Sequence, residues 1–555
     1  MKRIPIGISD FKEMISGNYY YIDKSLFIKE IVEDGSKVIL LPRPRRFGKT
    51  LNMSMLKNFH EKSKEDTRDL FKNLKINKYK EIMKLQGKYP VIYITFKDVK
   101  YSKWEDCKEA LESLVKDAFM KHRYLLEENF LEENERLIFK SILERKAKSV
   151  DFMSGLKLLS EYLHRYHKEK TVILIDEYDV PIQSGYIYGY YEKIIEFMRI
   201  FFSSGLKDNA YLEKGVLTGI LRVAKESIFS GLNNLEVCTI LNDRYSDHFG
   251  FSENEVEEML KYYNLEFEMD EIKKWYNGYI FGEKVIYNPW SILNYTKNFK
   301  SGFKAYWVNT SSNDLVKKVL TKANDTVKRE LEDLIKGKSI RKQINEDIVM
   351  NEIDKGAENV WSFLLFSGYL KVVHEELIMG RTYCNLKIPN IEVVYLYEEI
   401  ILSWFKGSIN TDKFHILLKS LITGDIETFE EILSEYLIKS ASYFDIDESE
   451  KFYHAFVLGI LVALSDTYEV RSNRESGYGR YDIMMIPKNK EDLGIVIEFK
   501  KVRKRRKETL ELAVENALKQ IVEKNYKQEL LDLGVKNILE MGVAFEGKEV
   551  LVGKI

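Results

Sequence analysis

The spacing of apolar positions changes at a few places along the chain, and those changes mark its parts. Val38-Ile39-Leu40-Leu41 is an unbroken apolar run that reads as a buried strand. Pro42-Arg43-Pro44-Arg45-Arg46-Phe47 stops it, because neither a helix nor a central strand accommodates that proline pair. Helical spacing takes over at Gly48-Lys49-Thr50 and continues to about Lys62. Tyr89 to Phe96 is β-branched and aromatic and reads as a second strand. Residues 103–122 and 126–169 are mainly helical in pattern, with charged outer faces. Thr171 to Ile175 is a third, buried strand, and Gly215 to Ile220 a fourth. Ahead of the first strand, residues 1–36 read as a short helix and a turn. There Asp23 or Ser25 is placed to cap the helical pattern Leu26, Phe27, Ile31.

Past residue 240 the helical period dominates. Val256 to Tyr263 and Asp270 to Tyr276 read as short helices, with a turn at Asn277-Gly278 and a further helix opened by Pro289. Their aromatic residues are expected to be core. Val360 to Val373 reads as a helix entering a strand, Glu375 to Lys387 as a hairpin around Met379-Gly380, and Asn390 to Phe405 as a helix. Helix, hairpin, helix suits a winged-helix unit and equally a small helical packing module, since no basic recognition helix is visible. Residues 411–445 read as helices. Glu448 to Leu464 is a helix, and three strands follow at Tyr468–Arg474, Arg480–Ile486 and Gly494–Lys500. A long amphipathic helix from Glu508 to Leu533 and closing strands at Asn537–Phe545 and Glu549–Ile555 complete an α/β pattern.

Composition adds little. A chain of 555 residues, 45% hydrophobic and 31% charged, has room for three or four domains of ordinary globular character. A net charge of −1 leaves partners to be read from local charge. Cys107, Cys238 and Cys384 lie far apart with no CxxC pair, which argues against a zinc knuckle or disulfide scaffold and suits a reducing cytoplasm. No signal-peptide core and no run near ~18 apolar residues occur, so no membrane span is expected.

Strand, loop, Gly-Lys-Thr, helix is the layout of a phosphate-binding loop. A helix N-terminus presents free N–H groups and a positive dipole end to an anion. Gly48 lets the backbone approach phosphate, Lys49 reaches the β- and γ-phosphates, and the Thr50 hydroxyl ligates Mg²⁺. The Gly expected five residues before the Gly-Lys pair is replaced by Arg43, which would leave the cradle less complete. The third strand delivers Asp176 and Glu177 to its C-terminal edge. Asp176 is expected to hold the metal's water shell, and Glu177 to orient or activate the attacking water. Thr218, at the end of the fourth strand, is placed to sense the γ-phosphate. Arg222 could offset transition-state charge, in cis or toward a neighbouring subunit.

Four separated motifs carry a resemblance. They are Tyr21-Ile22-Asp23-Lys24-Ser25, Arg43-Pro44-Arg45-Arg46-Phe47-Gly48-Lys49-Thr50-Leu51, Ile175-Asp176-Glu177-Tyr178-Asp179-Val180-Pro181, and Thr218 to Arg222 with Ser227 to Asn234. Together they resemble the prokaryotic AAA-ATPase-like family, whose loop is RPRRFGK-S/T without the first Gly. The resemblance covers roughly residues 4–240 and implies ATP binding by Lys49 and Thr50, within a loop that includes Arg45, Arg46 and Phe47, and metal handling by Asp176. It implies a helical lid over residues 241–345 and leaves 346–440 as a linking domain.

The last segment, 441–555, carries its own chemistry. Asp482, Glu498 and Lys500 fall on neighbouring strands, and Glu498 and Lys500, two apart, share a face. Two converging carboxylates can hold a divalent metal, while the Lys orients a water and offsets phosphorane-like charge. The constellation resembles the restriction-endonuclease-like PD-(D/E)xK nuclease superfamily, with Tyr481 where Pro is usual. That resemblance adds Gln520 as a candidate and a first-helix ligand, Glu450 or His454, and allows Mn²⁺ in place of Mg²⁺. Lys500 to Lys507 holds seven basic residues in eight, a local charge suited to a nucleic-acid backbone. The expectation is an ATPase coupled to a metal-dependent nuclease acting on DNA or RNA, with defence against mobile elements implied by the resemblance alone. A nucleotide-controlled switch or scaffold whose nuclease-like domain binds nucleic acid without cutting, and a nuclease on an inert ATPase scaffold, are the alternatives, and a homo-oligomer is open to each.

Overall fold

Five apolar runs pair into one parallel sheet, because strands this apolar on both faces need helices over each. They are β1 (Val38–Pro42), β2 (Val91–Thr95), β3 (Thr171–Asp176), β4 (Leu212–Gly219) and β5 (Leu235–Val237). Every residue of β1 and β3 is buried. The computed structural model describes residues 1–127, 130–221, 228, 234–265, 268–307, 313–321, 325–335, 337–347, 350–353, 356–405, 411–440, 464, 467–476, 479–502, 508–547 and 549–555. They divide into two compact units, Met1–Val394 and Tyr395–Ile555.

In the first unit the strand order is β2-β3-β4-β1-β5, all parallel. This order inserts β4 between the strand before the Gly-Lys-Thr loop and the strand bearing Asp176. Thr218 pairs in register with Leu41, and Leu217 with Ile175. The end of β4 is thereby set between the loop and the carboxylates, in the crevice beyond the C-terminal strand ends where open α/β sheets hold ligands.

The N-terminal segment departs from expectation. It contains two helices, Phe11–Ser16 and Leu26–Glu33, and Ser25 holds the N-cap position of the second, but its side chain makes no cap hydrogen bond. The Asp23 carboxylate accepts the Ser25 and Lys75 N–H groups at 2.8 and 2.6 Å, and the Ser25 hydroxyl accepts the Ile76 N–H at 3.1 Å. The incoming 75–78 turn takes the oxygens that local sequence had offered to the helix end.

The region after residue 240 is not wholly helical. Phe251–Ser252 (β6), Tyr279–Phe281 (β7) and Lys284–Tyr287 (β8) form a small antiparallel sheet in the order β6-β8-β7. Runs of two to four residues are too short for a period to show, and Gly282, at φ +54°, makes the β7–β8 turn. The helices Glu253–Tyr262, Met269–Tyr276 and Pro289–Lys297 pack around Val256, Met259, Tyr276, Tyr287 and Tyr295, so these aromatics are core. Further on, β9 (Ile340–Ile344), the helix Ala357–Phe366, β10 (Lys371–Ile378) and β11 (Arg381–Lys387) form a hairpin with a third strand in the order β10-β11-β9. The helix before the hairpin buries Trp361, Phe363, Leu364 and Leu365.

The second unit contains helices Thr411–Thr423 and Ile426–Ser440 and a mixed sheet, β12 (Tyr468–Ser476), β13 (Gly479–Pro487), β14 (Gly494–Lys501), β15 (Ile538–Glu546) and β16 (Glu549–Lys554), paired in chain order. β14 and β15 are parallel and the other pairs antiparallel. The helix expected over Glu508–Leu533 is two helices, Leu510–Lys524 and Lys527–Asp532, because Asn525 adopts a left-handed conformation (φ +50°). The break lets Tyr526 turn inward against Tyr481. The expected helix Glu448–Leu464 lies outside the described residues except for Leu464.

Candidate functional site

Gly48 sits at φ +85° at the start of the helix Lys49–His60, a conformation open to Gly at little cost. The turn brings the Lys49 amine back over its own loop, where it donates to the Arg43 and Pro44 carbonyls at 3.0 and 2.9 Å. Burial pushes the Lys49 pKa down, and Glu177, Asp176 and Asp179 favour its charged form. The Arg43 side chain leaves the loop altogether. It is fully buried, donates to the Pro42 and Cys238 carbonyls at 2.8 and 2.7 Å, and lies over the Phe249 and Phe281 rings. Burial lowers it to about 10. The residue in place of the missing Gly therefore puts no side chain in the cradle.

Arg46 also has positive φ, +67°, an uncommon conformation for a residue with a Cβ, and its guanidinium stacks 4.3 Å from the Trp290 ring. The Phe47 ring is buried edge-on against Tyr279, with Phe281 beside it, and holds the loop to β7. Arg45 donates to the Gln183 side chain at 3.4 Å, and its carbonyl accepts the Trp307 indole N–H at 3.1 Å.

Asp176 ties the end of β3 to the loop helix and to the end of β4. Its two oxygens accept the Thr50 hydroxyl at 2.7 Å and the Thr218 hydroxyl at 2.6 Å. Thr218 is fully buried on Asp176, so its hydroxyl meets the carboxylate first. Glu177 adopts φ +52°; burial raises its pKa and Lys49 opposes the rise. A cavity of about 660 Å³ opens over this edge, lined by Arg45, Arg46, Phe47, Gly48, Lys49, Thr50, Glu177 and Asp179. Its wall also includes Ile8, Tyr20, Ile22, Lys24, Pro289, Trp290 and Leu293. Hard oxygen donors from Thr50 and Asp176 beside a buried ammonium suit Mg²⁺ with a polyphosphate. Sequence reasoning missed the apolar wall, which comes from distant segments, and Asp179, whose signal was its place in the Asp176–Pro181 motif.

In the second unit, one step beyond the Ile483–Ile497 register brings Asp482 opposite Glu498. Asp482 accepts the Phe499 N–H at 2.8 Å. Lys500 donates to Glu498 Oε1 at 2.9 Å, and the Gln520 amide, from the helix Leu510–Lys524, donates to the same oxygen and to the Tyr526 hydroxyl. Glu498 is 3% exposed, and its Oε2 makes no hydrogen bond among the described residues. Burial pushes the Glu498 carboxyl up to about 7, the Asp482 charge adds to the rise, and Lys500 opposes it. A buried oxygen lacking a donor beside a second carboxylate fits a divalent cation. Among the described residues no group of three or more His, Cys, Asp or Glu gathers into a fuller ligand set. Arg222, Glu450, His454 and the basic residues 503–507 lie outside the described residues.

Residues 5–229 match the family described as Predicted AAA-ATPase (AAA-ATPase-like). Residues 448–555 match the PD-(D/E)XK nuclease superfamily. These two matches fall on the two segments whose motifs carry the resemblances, as expected. The chain is 26% identical over 403 residues to an uncharacterized protein in the vnfD 5' region of Azotobacter chroococcum mcd 1, covering 72% of this chain and 70% of that protein. A solved structure of the Aeropyrum pernix ORC2 protein, titled as ADPNP-ADP complexes, aligns over 68% of this chain and 92% of its own at 9% identity, with a TM-score of 0.22.

Proposed function

We propose that the first unit binds ATP with Mg²⁺ and hydrolyses it, and that the C-terminal sheet is a metal-dependent nuclease module acting on nucleic acid. The observation that carries the first half is the Asp176 carboxylate held by the hydroxyls of Thr50 and Thr218 beside a buried Lys49. Phosphate oxygens would take the place of the loop carbonyls at the Lys49 amine, and Thr50 and Asp176 would hold the cation. Mg²⁺, when bound, supplies neutralisation of charge on the β- and γ-oxygens. Glu177 orients the attacking water and takes up its proton, a task its burial-raised pKa favours. At the second site Asp482 and Glu498 would hold the cation, Lys500 would steady the scissile phosphate, and Gln520 fixes the Glu498 carboxylate. No helix among the described residues is long and apolar enough to cross a membrane, and three buried free thiols suit a reducing cytoplasm.

Two assays test the reading. ATP turnover should fall by about 10²–10³ in Lys49→Ala. Mg²⁺- or Mn²⁺-dependent cleavage of a panel of single- and double-stranded DNA and RNA should be lost in Asp482→Ala. Cleavage unaffected by Lys49→Ala and by ATP would reduce the first unit to a scaffold. ATP-dependent assembly without any cleavage would leave a nucleotide switch and remove the nuclease half.

A further inference from the structure

The turn after β4 is gripped from several sides, and the grip comes from the residues that follow Asp176 and Glu177. Asp179 is fully buried and lines the nucleotide cavity. Its Oδ2 accepts the Ile220 N–H at 3.0 Å, the Leu221 N–H at 3.1 Å and the Gln183 amide at 2.9 Å. The neighbouring Tyr178 hydroxyl donates to the Leu221 carbonyl at 2.6 Å, and the Tyr178 N–H donates to the Thr218 carbonyl at 3.0 Å. From the other side the Arg43 N–H donates to the Gly219 carbonyl at 3.0 Å. Gly219 has no room for a side chain, since a Cβ there would stand 2.6 Å from Asp179 Oδ1 and 2.7 Å from the Tyr178 ring. Gln183, which Asp179 holds, also accepts from Arg45 of the phosphate-binding loop.

We infer that Asp179 is a positioning residue for ATP hydrolysis, locking the Gly219–Leu221 turn to the phosphate-binding loop through Gln183. This rests on the ATPase reading above. The lock acts at two points. It fixes the end of β4, and so the Thr218 hydroxyl against Asp176. It also fixes the backbone of Ile220 and Leu221, whose N–H groups it binds. A carboxylate is suited to this because one oxygen takes two adjacent backbone N–H groups, as an anion nest does. Burying that charge is costly: burial raises the Asp179 pKa and the two backbone donors oppose the rise. Fixing catalytic groups before the transition state, without holding substrate, affects the chemical step more than ground-state affinity.

The test compares wild type, Asp179→Ala, Asp179→Asn and Lys49→Ala in the full chain. Binding of a fluorescent ATP analogue and single-turnover ATP hydrolysis at saturating ATP are both measured. Asp179→Ala should lower the single-turnover rate at least tenfold while changing the dissociation constant less than threefold. Asp179→Asn keeps an oxygen for both N–H groups and should recover most of the rate. Equal rates in all three Asp179 forms, or a loss of affinity in Asp179→Ala that matches the loss of rate, would overturn the positioning role. Binding unaltered between wild type and Lys49→Ala would overturn the ATPase reading itself, and the inference would fall with it. Should Asp179→Ala not fold, Gln183→Ala serves in its place, with a smaller rate loss and unchanged affinity expected.

Discussion

Both candidate sites gather carboxylates on sheet strands, at the end of β3 in the first unit and within β13 and β14 in the second, and they satisfy them in opposite ways. In the first unit Asp176 has a neutral hydroxyl on each oxygen, one from the loop helix and one from β4. In the second, Glu498 has its Lys500 and Gln520 partners on one oxygen and none described on the other, with Asp482 close enough to raise its pKa. The first arrangement is balanced by protein donors before any cation arrives. The second holds electrostatic tension that a proton or a cation relieves. The difference teaches that carboxylates on a sheet do not by themselves define a metal site; the donors around them decide how much a cation gains by entering.

Removing the packing that supports the balanced site should have the largest effect. Phe47 is fully buried against Tyr279 and Phe281, and Gly250 leaves room for its ring: a Cβ there would lie 2.9 Å from Phe47 Cδ1. Phe47→Ala should destabilise the first unit by about 3–5 kcal/mol. Urea unfolding followed by tryptophan fluorescence reads the loss. A change below ~1 kcal/mol would mean that the aromatic packing does not hold the loop.

How much of this was legible follows the range of the interactions. Lys49, Thr50, Asp176 and Glu177 could be placed because an apolar run and the residues at its end are local in sequence. Thr218 could be placed for the same reason, although its meeting with Asp176 needed the order in which β4 enters the sheet. The outward turn of Arg43 was not legible, since Cys238, Phe249 and Phe281 lie far along the chain. Nor was the use of the Asp23 and Ser25 side chains, whose oxygens bind the 75–78 turn and not the helix end. In the second unit Asp482, Glu498 and Lys500 were visible from strand alternation. The break at Asn525 was not, because Asn within an amphipathic pattern carries no period of its own. The turn lock at Asp179 depends on two peptide N–H groups about forty residues away, a contact that no spacing rule encodes.

A carboxylate in the first unit sharpens the comparison. Glu392 is buried, and burial raises it to about 7 although it accepts the Trp307 N–H at 2.5 Å and the Ser291 hydroxyl at 2.7 Å. Its folded pKa lies above its ordinary value of 4.5. The folded state therefore keeps the proton while the unfolded chain loses it. Stability should be full below about pH 4.5, decline as pH rises toward about 7, and level off above that, for a loss of about 3 kcal/mol. Glu392→Gln keeps an oxygen for the Trp307 N–H and should abolish this slope. Urea unfolding at pH 5 and pH 8 measures it, and an equal slope in both forms would sink the assignment. Divalent cations should leave the Glu392 slope unchanged, because Trp307, Ser291 and Tyr306 already supply its carboxylate with protein donors.

Glu498 should respond differently at nearly the same pKa. A cation competes with the proton for Glu498, so apparent Mn²⁺ affinity should fall about tenfold for each pH unit below about 7 and level off above it. Asp482→Asn removes a ligand charge and the nearby carboxylate that raises Glu498. Two changes should follow: weaker binding at pH 8, and a break in the pH profile displaced to lower pH. Burial alone would move the break little, whereas the Asp482 charge would move it by a measurable fraction of a unit. Calorimetry of Mn²⁺ binding in buffers of different ionisation enthalpy counts the proton released. Proton release near pH 6.5 that is the same in wild type and Asp482→Asn would mean the two carboxylates do not share a cation. The tension at the second site would then be that of an isolated buried acid, as at Glu392.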